Sequence, residues 1–195
     1  NFKSFNYQGK ENDKYFNFLV YAGSQGSIDI LEIFNQLIDE IKKISNSKKI
    51  KFIIQSPKNK QTEIKNLLII NNYDFEIKVF FDHFDKILKK SDIVLCRSGA
   101  GTINDLIKYR IPAIICPLPS AKDNHQYENA KILSNLGCAL IVNKNKINIE
   151  EIILFINKVV DDKNFKKSLL DSYSKIKRKN ANQLMWEFIY NAQKK

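Results

Sequence analysis

Short, predominantly apolar runs alternate along this chain with longer stretches in which apolar residues recur every three or four positions. The runs Phe16–Ala22, Ile50–Gln55, Phe75–Phe80, Ile93–Cys96, Ala113–Cys116 and Ala139–Val142 are rich in Ile, Val, Phe and Leu, and read as strands. Short strands dominated by apolar residues suit a sheet covered on both faces. Between them, Ile28–Ile44 places Ile30, Leu31, Phe34, Leu37, Ile38 and Ile41 on one helical stripe. Similar periodicity predicts helices over Glu63–Asn71, Asp82–Lys89, Thr102–Tyr109 and Asn124–Leu136, then Ile149–Asp161, Phe165–Ile176 and Gln183–Ala192. Strict alternation of this kind predicts an α/β fold, a Rossmann-like doubly wound parallel sheet, because parallel strands need crossover connections.

The polar residues 1–15 read as a linker or interdomain arm, and 16–195 as one domain with C-terminal helices. A chain of 195 residues suits one well-buried core. It begins at Asn1 and its one methionine is Met185, so we expect it to be processed or cut from a longer chain, with a partner domain beyond it. No run reaches the roughly 20 apolar residues of a spanning helix, and no signal peptide is evident, so a cytoplasmic protein is expected.

The formal charge of +11 changes this picture little. Lysines are scattered in pairs such as Lys42-Lys43 and Lys166-Lys167, and the three arginines, Arg97, Arg110 and Arg178, lie far apart. Readers of bases lean on arginine forks, so no nucleic-acid partner is expected; weak attraction to an anionic membrane surface stays open. Cys96, Cys116 and Cys138 lack a Cys or His at metal-ligand spacing and read as buried free thiols.

Candidate chemistry gathers in three turns that each lead into a helix, where open parallel sheets bind their ligands. In the first, Gly23, Ser24, Gln25 and Gly26 separate the first strand from the first helix. Its glycines let backbone approach a ligand and the helix start favours an anion such as a diphosphate; an ordinary glycine turn with Ser27 as N-cap is the other reading. The second, Arg97, Ser98, Gly99, Ala100, Gly101 and Thr102, is another strand-to-helix turn able to receive an anion. Neither has the Gly-Lys-Ser/Thr of a P-loop or the three-glycine dinucleotide spacing, which disfavours ATP hydrolysis and NAD binding. Asp105, one turn further, could accept ribose hydroxyls or could simply be a charge favoured at a helix start. The third turn runs from Pro117 through Pro119 and Asp123 into Asn124, His125 and Gln126, side chains able to read sugar hydroxyls or to cap the helix. His83, after Phe80-Phe81-Asp82, reads as a helix-start residue.

Taken together, the GSQG turn, the Phe-Phe-Asp after the third strand, CRSGAGT with its following acid, and the proline loop ending in DNHQ before Asn129-Ala130 resemble one family. It is glycosyltransferase family 28, specifically the donor-binding C-terminal domain of the bacterial GT-B enzymes that make lipid II. The resemblance covers Phe16 to the final helix. It implies that Gly23 to Gly26 and Ser98 to Thr102 face a diphosphate, and that the backbone of Phe81 pairs with the uracil edge in a pocket shaped by Phe80 and Phe84. It also implies that Asp105 takes the ribose, where the family usually has Glu, and that His125 and Gln126 reach the sugar. Pro57 replaces a usual glycine.

The implied ligand is UDP-N-acetylglucosamine. The implied whole enzyme is an inverting transferase acting on undecaprenyl-diphosphate-muramyl-pentapeptide in peptidoglycan synthesis, peripheral at the inner face of the cell membrane. In this family the acceptor site, the catalytic base and the membrane-docking patch belong to an N-terminal domain, so we assign no catalytic residue here and expect donor binding without turnover by this chain alone. No metal or cofactor is implied. A lone subunit of a two-subunit dolichol-diphosphate enzyme, a non-catalytic nucleotide-binding module, and a basic nucleic-acid-binding protein are the rival readings.

Overall fold

The computed structural model describes residues 14–21, 28–42, 44, 49–118 and 124–176. Strands and helices alternate as β1 (Tyr15–Tyr21), α1 (Ile28–Ile41), β2 (Lys49–Gln55), α2 (Lys58–Ile70), β3 (Asp74–Lys78), α3 (Phe84–Lys90), β4 (Ile93–Cys96), α4 (Ala100–Tyr109), β5 (Ala113–Ile115), α5 (His125–Ser134), β6 (Ala139–Ile141), α6 (Ile149–Asp161) and α7 (Lys163–Lys175). The helix expected over Gln183–Ala192 and the arm before residue 14 lie outside the described residues.

Among the described residues the strands pair in parallel, in the order β3-β2-β1-β4-β5-β6. Alternation along β1 builds both layers of the core. Phe16, Phe18 and Val20 join Phe34, Leu37, Phe52, Ile64 and Ile156 on the face covered by α1, α2 and α6. Leu19 and Tyr21 join Ile87, Leu106, Leu133 and Leu169 on the face covered by α3, α4, α5 and α7. The sheet is thus doubly wound, as its apolar strands demand. Edge strand β3 is blunted by charge: Glu76 lies 3.2 Å from Lys78 and 3.5 Å from Lys90.

Helix ends follow local chemistry. Asn148 accepts from the Glu151 backbone N–H at 3.2 Å to start α6, and Asp162 accepts from Phe165 N–H at 2.9 Å to start α7. α2 begins five residues before the periodicity expects, because Pro57 supplies its N-cap at φ −60°. The polar first turn Lys58-Asn59-Lys60 carries no apolar signal. α1 ends at Ile41, three residues short of expectation, yet Ile44 is still buried and its N–H reaches the Ile41 carbonyl at 3.1 Å. The third run was expected to reach Phe80, but pairing stops at Lys78. All three cysteines are buried free thiols, as expected.

Phe52 is fully buried, with ring centroids of Phe18, Phe34 and Tyr73 at 5.5, 5.1 and 5.0 Å. Phe52→Ala is expected to lower stability by about 3–5 kcal/mol, read as a lower urea midpoint at unchanged slope.

Candidate functional site

Between β1 and β4 the strand order reverses, and the connections that leave them run to opposite faces of the sheet. A crevice at the carboxyl ends of two such strands is where open α/β sheets bind ligands. Tyr21 and Cys96 are register partners there. The glycine turn of Gly23, Ser24, Gln25 and Gly26 spans the gap from Tyr21 to Ile28 and lies outside the described residues. What the structure places is its two anchors, beside the second turn.

That second turn opens α4 with Gly99 as an N-cap that provides no side-chain hydrogen bond. Glycine brings no side-chain oxygen to these first-turn N–H groups, an arrangement suited to receiving an anion. A Cβ built on Gly99 or Gly101 would meet nothing within 4 Å, so packing does not require glycine at either position. The two glycines, with Ala100 exposed between them, leave open room over the helix start. Thr102 sits half-buried in the same turn.

Ser98 is used differently from its neighbours. It is fully buried, donates its hydroxyl to the Gln126 carbonyl at 2.6 Å, and accepts on its own carbonyl from Asn129 Nδ2 at 3.1 Å. Gln126 in turn accepts the Leu118 N–H on Oε1 at 2.9 Å. Because a backbone N–H can only donate, this bond fixes which way the Gln126 amide faces. The second and third turns are thereby tied together, with exposed His125 at the start of α5. Residues 119–123 of the proline loop lie outside the described residues.

The aromatic residues divide by burial. Phe81 is buried, with its ring centroid 6.5 Å from that of Phe84, and Phe84 meets Tyr21 edge-on at 4.8 Å. Phe80 is 67% exposed, a large apolar surface beyond the end of β3. Asp105 is half-buried on α4, and burial raises its carboxyl above the usual range although Lys108 opposes this.

A charged network that the turn composition did not reveal lies under this edge. Arg97 is 6% exposed and donates through Nη1 to the carbonyls of Cys116 at 2.9 Å and Pro117 at 3.0 Å. Through Nη2 it pairs with Asp29 in the first turn of α1. Asp29 also meets Lys144 Nζ at 3.1 Å. Burial pushes the Asp29 carboxyl up, but hydrogen bonds from Lys144 and Arg97 outweigh it and hold the group below its ordinary value. An unpaired carboxylate here would repel an anion at the start of α1; paired with two cations, it leaves that corner positive. The one visible signal was Arg97 itself, an arginine directly after an apolar strand.

Residues 17–185 match the glycosyltransferase family 28 C-terminal domain. The UDP-N-acetylglucosamine--N-acetylmuramyl-(pentapeptide) pyrophosphoryl-undecaprenol N-acetylglucosamine transferase of Rickettsia felis is 32% identical over 92% of this chain and 50% of its own length. Its counterpart from Rickettsia massiliae is 36% identical over 72% of this chain and 38% of its own length. The chain therefore spans half or less of these curated relatives. The crystal structure of Acinetobacter baumannii MurG shares the fold, with a TM-score of 0.77 at 22% identity over 94% of this chain and 54% of that one.

Arg97→Ala would leave two strand-end carbonyls and the Asp29 carboxylate short of a donor, so a loss of about 3 kcal/mol is expected in chemical denaturation. Because the folded-state pKa of Asp29 is lowered, its stabilisation is complete above the unfolded value of about 3.9 and disappears as pH falls through the folded value. Asp29→Asn is therefore expected to differ most from the parent near neutral pH and to converge with it in acid, as followed by unfolding at stepped pH.

Proposed function

The chain belongs to glycosyltransferase family 28, and we propose that it is the donor-binding half of an inverting hexosyltransferase, holding UDP-N-acetylglucosamine at the carboxyl edge between β1 and β4. The observation that carries this reading is the uncapped start of α4, open above Gly99 and Gly101 and set at the point where the strand order reverses. A diphosphate there accepts from first-turn N–H groups and lies against the positive end of the helix. We assign Gly23, Ser24, Gln25 and Gly26 to the same diphosphate on the family resemblance alone.

Asp105 takes the ribose hydroxyls in this reading. Partial desolvation costs its charge some solvent contact, and two hydroxyl donors supply hydrogen bonds in return. The uracil edge pairs with the backbone of Phe81, and the exposed ring of Phe80 is covered when the base arrives. His125 and the donor side of the Gln126 amide meet the sugar.

Transfer follows from the same placement. As the acceptor hydroxyl attacks the anomeric carbon from the face opposite the diphosphate, the configuration inverts and negative charge grows on the departing UDP. Preorganised N–H groups and the positive Arg97–Asp29–Lys144 corner stabilise that charge where it develops. We assign the acceptor from the relatives' activity as named, an N-acetylmuramyl-(pentapeptide) pyrophosphoryl-undecaprenol, and hence peptidoglycan synthesis. We propose that acceptor binding and the catalytic base come from the portion of the relatives that this chain does not span, at a peripheral membrane surface.

Isothermal titration tests the donor reading. UDP-N-acetylglucosamine is expected to bind in preference to UDP-glucose and ADP-glucose, with Asp105→Ala weakening it about tenfold, the loss of charge-assisted hydrogen bonds. Gln126→Ala is expected to erode the preference between the two UDP-sugars. Equal binding of ADP-glucose, or no binding of any uridine nucleotide, would overturn the assignment.

A further inference from the structure

Tyr21 ends β1 at the strand-order reversal, on the layer shared with α3 and α4. The residue is 4% exposed, and its Oη is sealed from solvent without a hydrogen-bond partner. Two other buried side-chain atoms among the described residues share that condition, Asn35 Oδ1 and Asn71 Oδ1. Both belong to amides whose nitrogens are engaged, with Glu63 at 3.4 Å and with the Leu67 carbonyl at 2.8 Å. Tyr21 differs because its sole polar side-chain atom is the orphan. Phenylalanine would make the same edge-on contact with Phe84 without burying an unpaired hydroxyl. Packing alone therefore gives no reason for tyrosine.

The hydroxyl beside Oη is that of Thr102, which acts on the phenol as a hydrogen-bonding neighbour although the pair does not close to a formed hydrogen bond. Thr102 lies in the uncapped first turn of α4, next to the open room over Gly101. A threonine hydroxyl has one proton to give and lone pairs to receive another.

We propose that Tyr21 is a positioning residue for the diphosphate: a phosphate oxygen accepts the Thr102 O–H, which turns the Thr102 oxygen to accept the Tyr21 O–H. Binding thus completes a relay from Tyr21 through Thr102 to the anion, and the orphaned phenol gains its partner only in the bound state. The relay moves no proton between residues. Burial, followed by the neighbouring Cys96, pushes the phenol far above its usual range, so it remains a donor throughout the working pH range. The inference rests on the donor-site reading and adds a residue that lies beneath the turns rather than in them.

The test uses the full 195-residue chain and UDP itself, titrated calorimetrically against the parent, Tyr21→Phe, Thr102→Val and the double variant, with Tm measured for each unliganded protein. Tyr21→Phe is expected to raise the unliganded Tm and to weaken UDP about five- to tenfold, the effect of one lost hydrogen bond. In the Thr102→Val background the same substitution is expected to change UDP affinity less than twofold, because the relay is already cut. Unchanged UDP affinity in Tyr21→Phe, a lowered Tm, or an equal loss in both backgrounds would overturn the relay while leaving the donor site standing. Failure of the parent chain to bind UDP would remove the donor site, and the relay with it.

Discussion

Where a parallel sheet sends its helices off in opposite directions, the strand ends at that point are left without a continuous cover, and their carbonyls need donors from elsewhere. Arg97 supplies them. Its guanidinium reaches the carbonyls of Cys116 and Pro117 after β5 while pairing with Asp29 at the start of α1. One planar fork thus joins the ends of β4 and β5 to the helix that follows β1, which a flexible ammonium could not do with the same geometry. The start of α4 directly after Arg97 is thereby anchored to the edge beneath it.

Both layers of the core lend that edge its rigidity. Phe18 and Phe52 on one face, Leu19 and Leu106 on the other, are fully buried. Against this background the polar features near the edge stand out as local costs: a half-desolvated Asp105, an orphaned Tyr21 hydroxyl and uncapped helix N–H groups. Each is unfavourable taken by itself, and each is of the kind that the proposed nucleoside diphosphate would relieve. Asn35 Oδ1 and Asn71 Oδ1 are also buried without partners, but each belongs to an amide whose nitrogen is engaged. Tyr21, Asp105 and the α4 start instead gather at one edge, as is expected of a binding site.

Charge is deployed on two scales. Surface pairs such as Lys60–Glu63 and Lys89–Asp85 join residues three or four apart on exposed helix faces, where solvent and salt leave them little net effect. The Arg97–Asp29–Lys144 group is different, since Arg97 is almost fully enclosed and Asp29 is drawn from a distant segment. The lysine excess of the composition says nothing about this network, which contains one of the three arginines.

Hydrophobic period alone determined the alternation of elements, the coverage of the sheet on both faces and the strand-to-helix turns in which Gly99, Gly101, Thr102 and Asp105 lie, because side-chain alternation and helical pitch are local properties. Element ends were less legible: the polar first turn of α2 and the unpaired end of the third run carry no period. Motif order went further and pointed to the family. Only the tertiary structure decided which turns meet, since strand order depends on crossovers that no local pattern encodes. It alone placed Ser98 on Gln126, Gln126 on Leu118 and Arg97 on Asp29, partners separated by 28, 8 and 68 residues. The buried hydroxyl of Tyr21 was invisible beforehand for the same reason. In sequence it is one more aromatic at the end of an apolar strand, and only the packing of α3 and α4 around it makes its unpaired oxygen a feature.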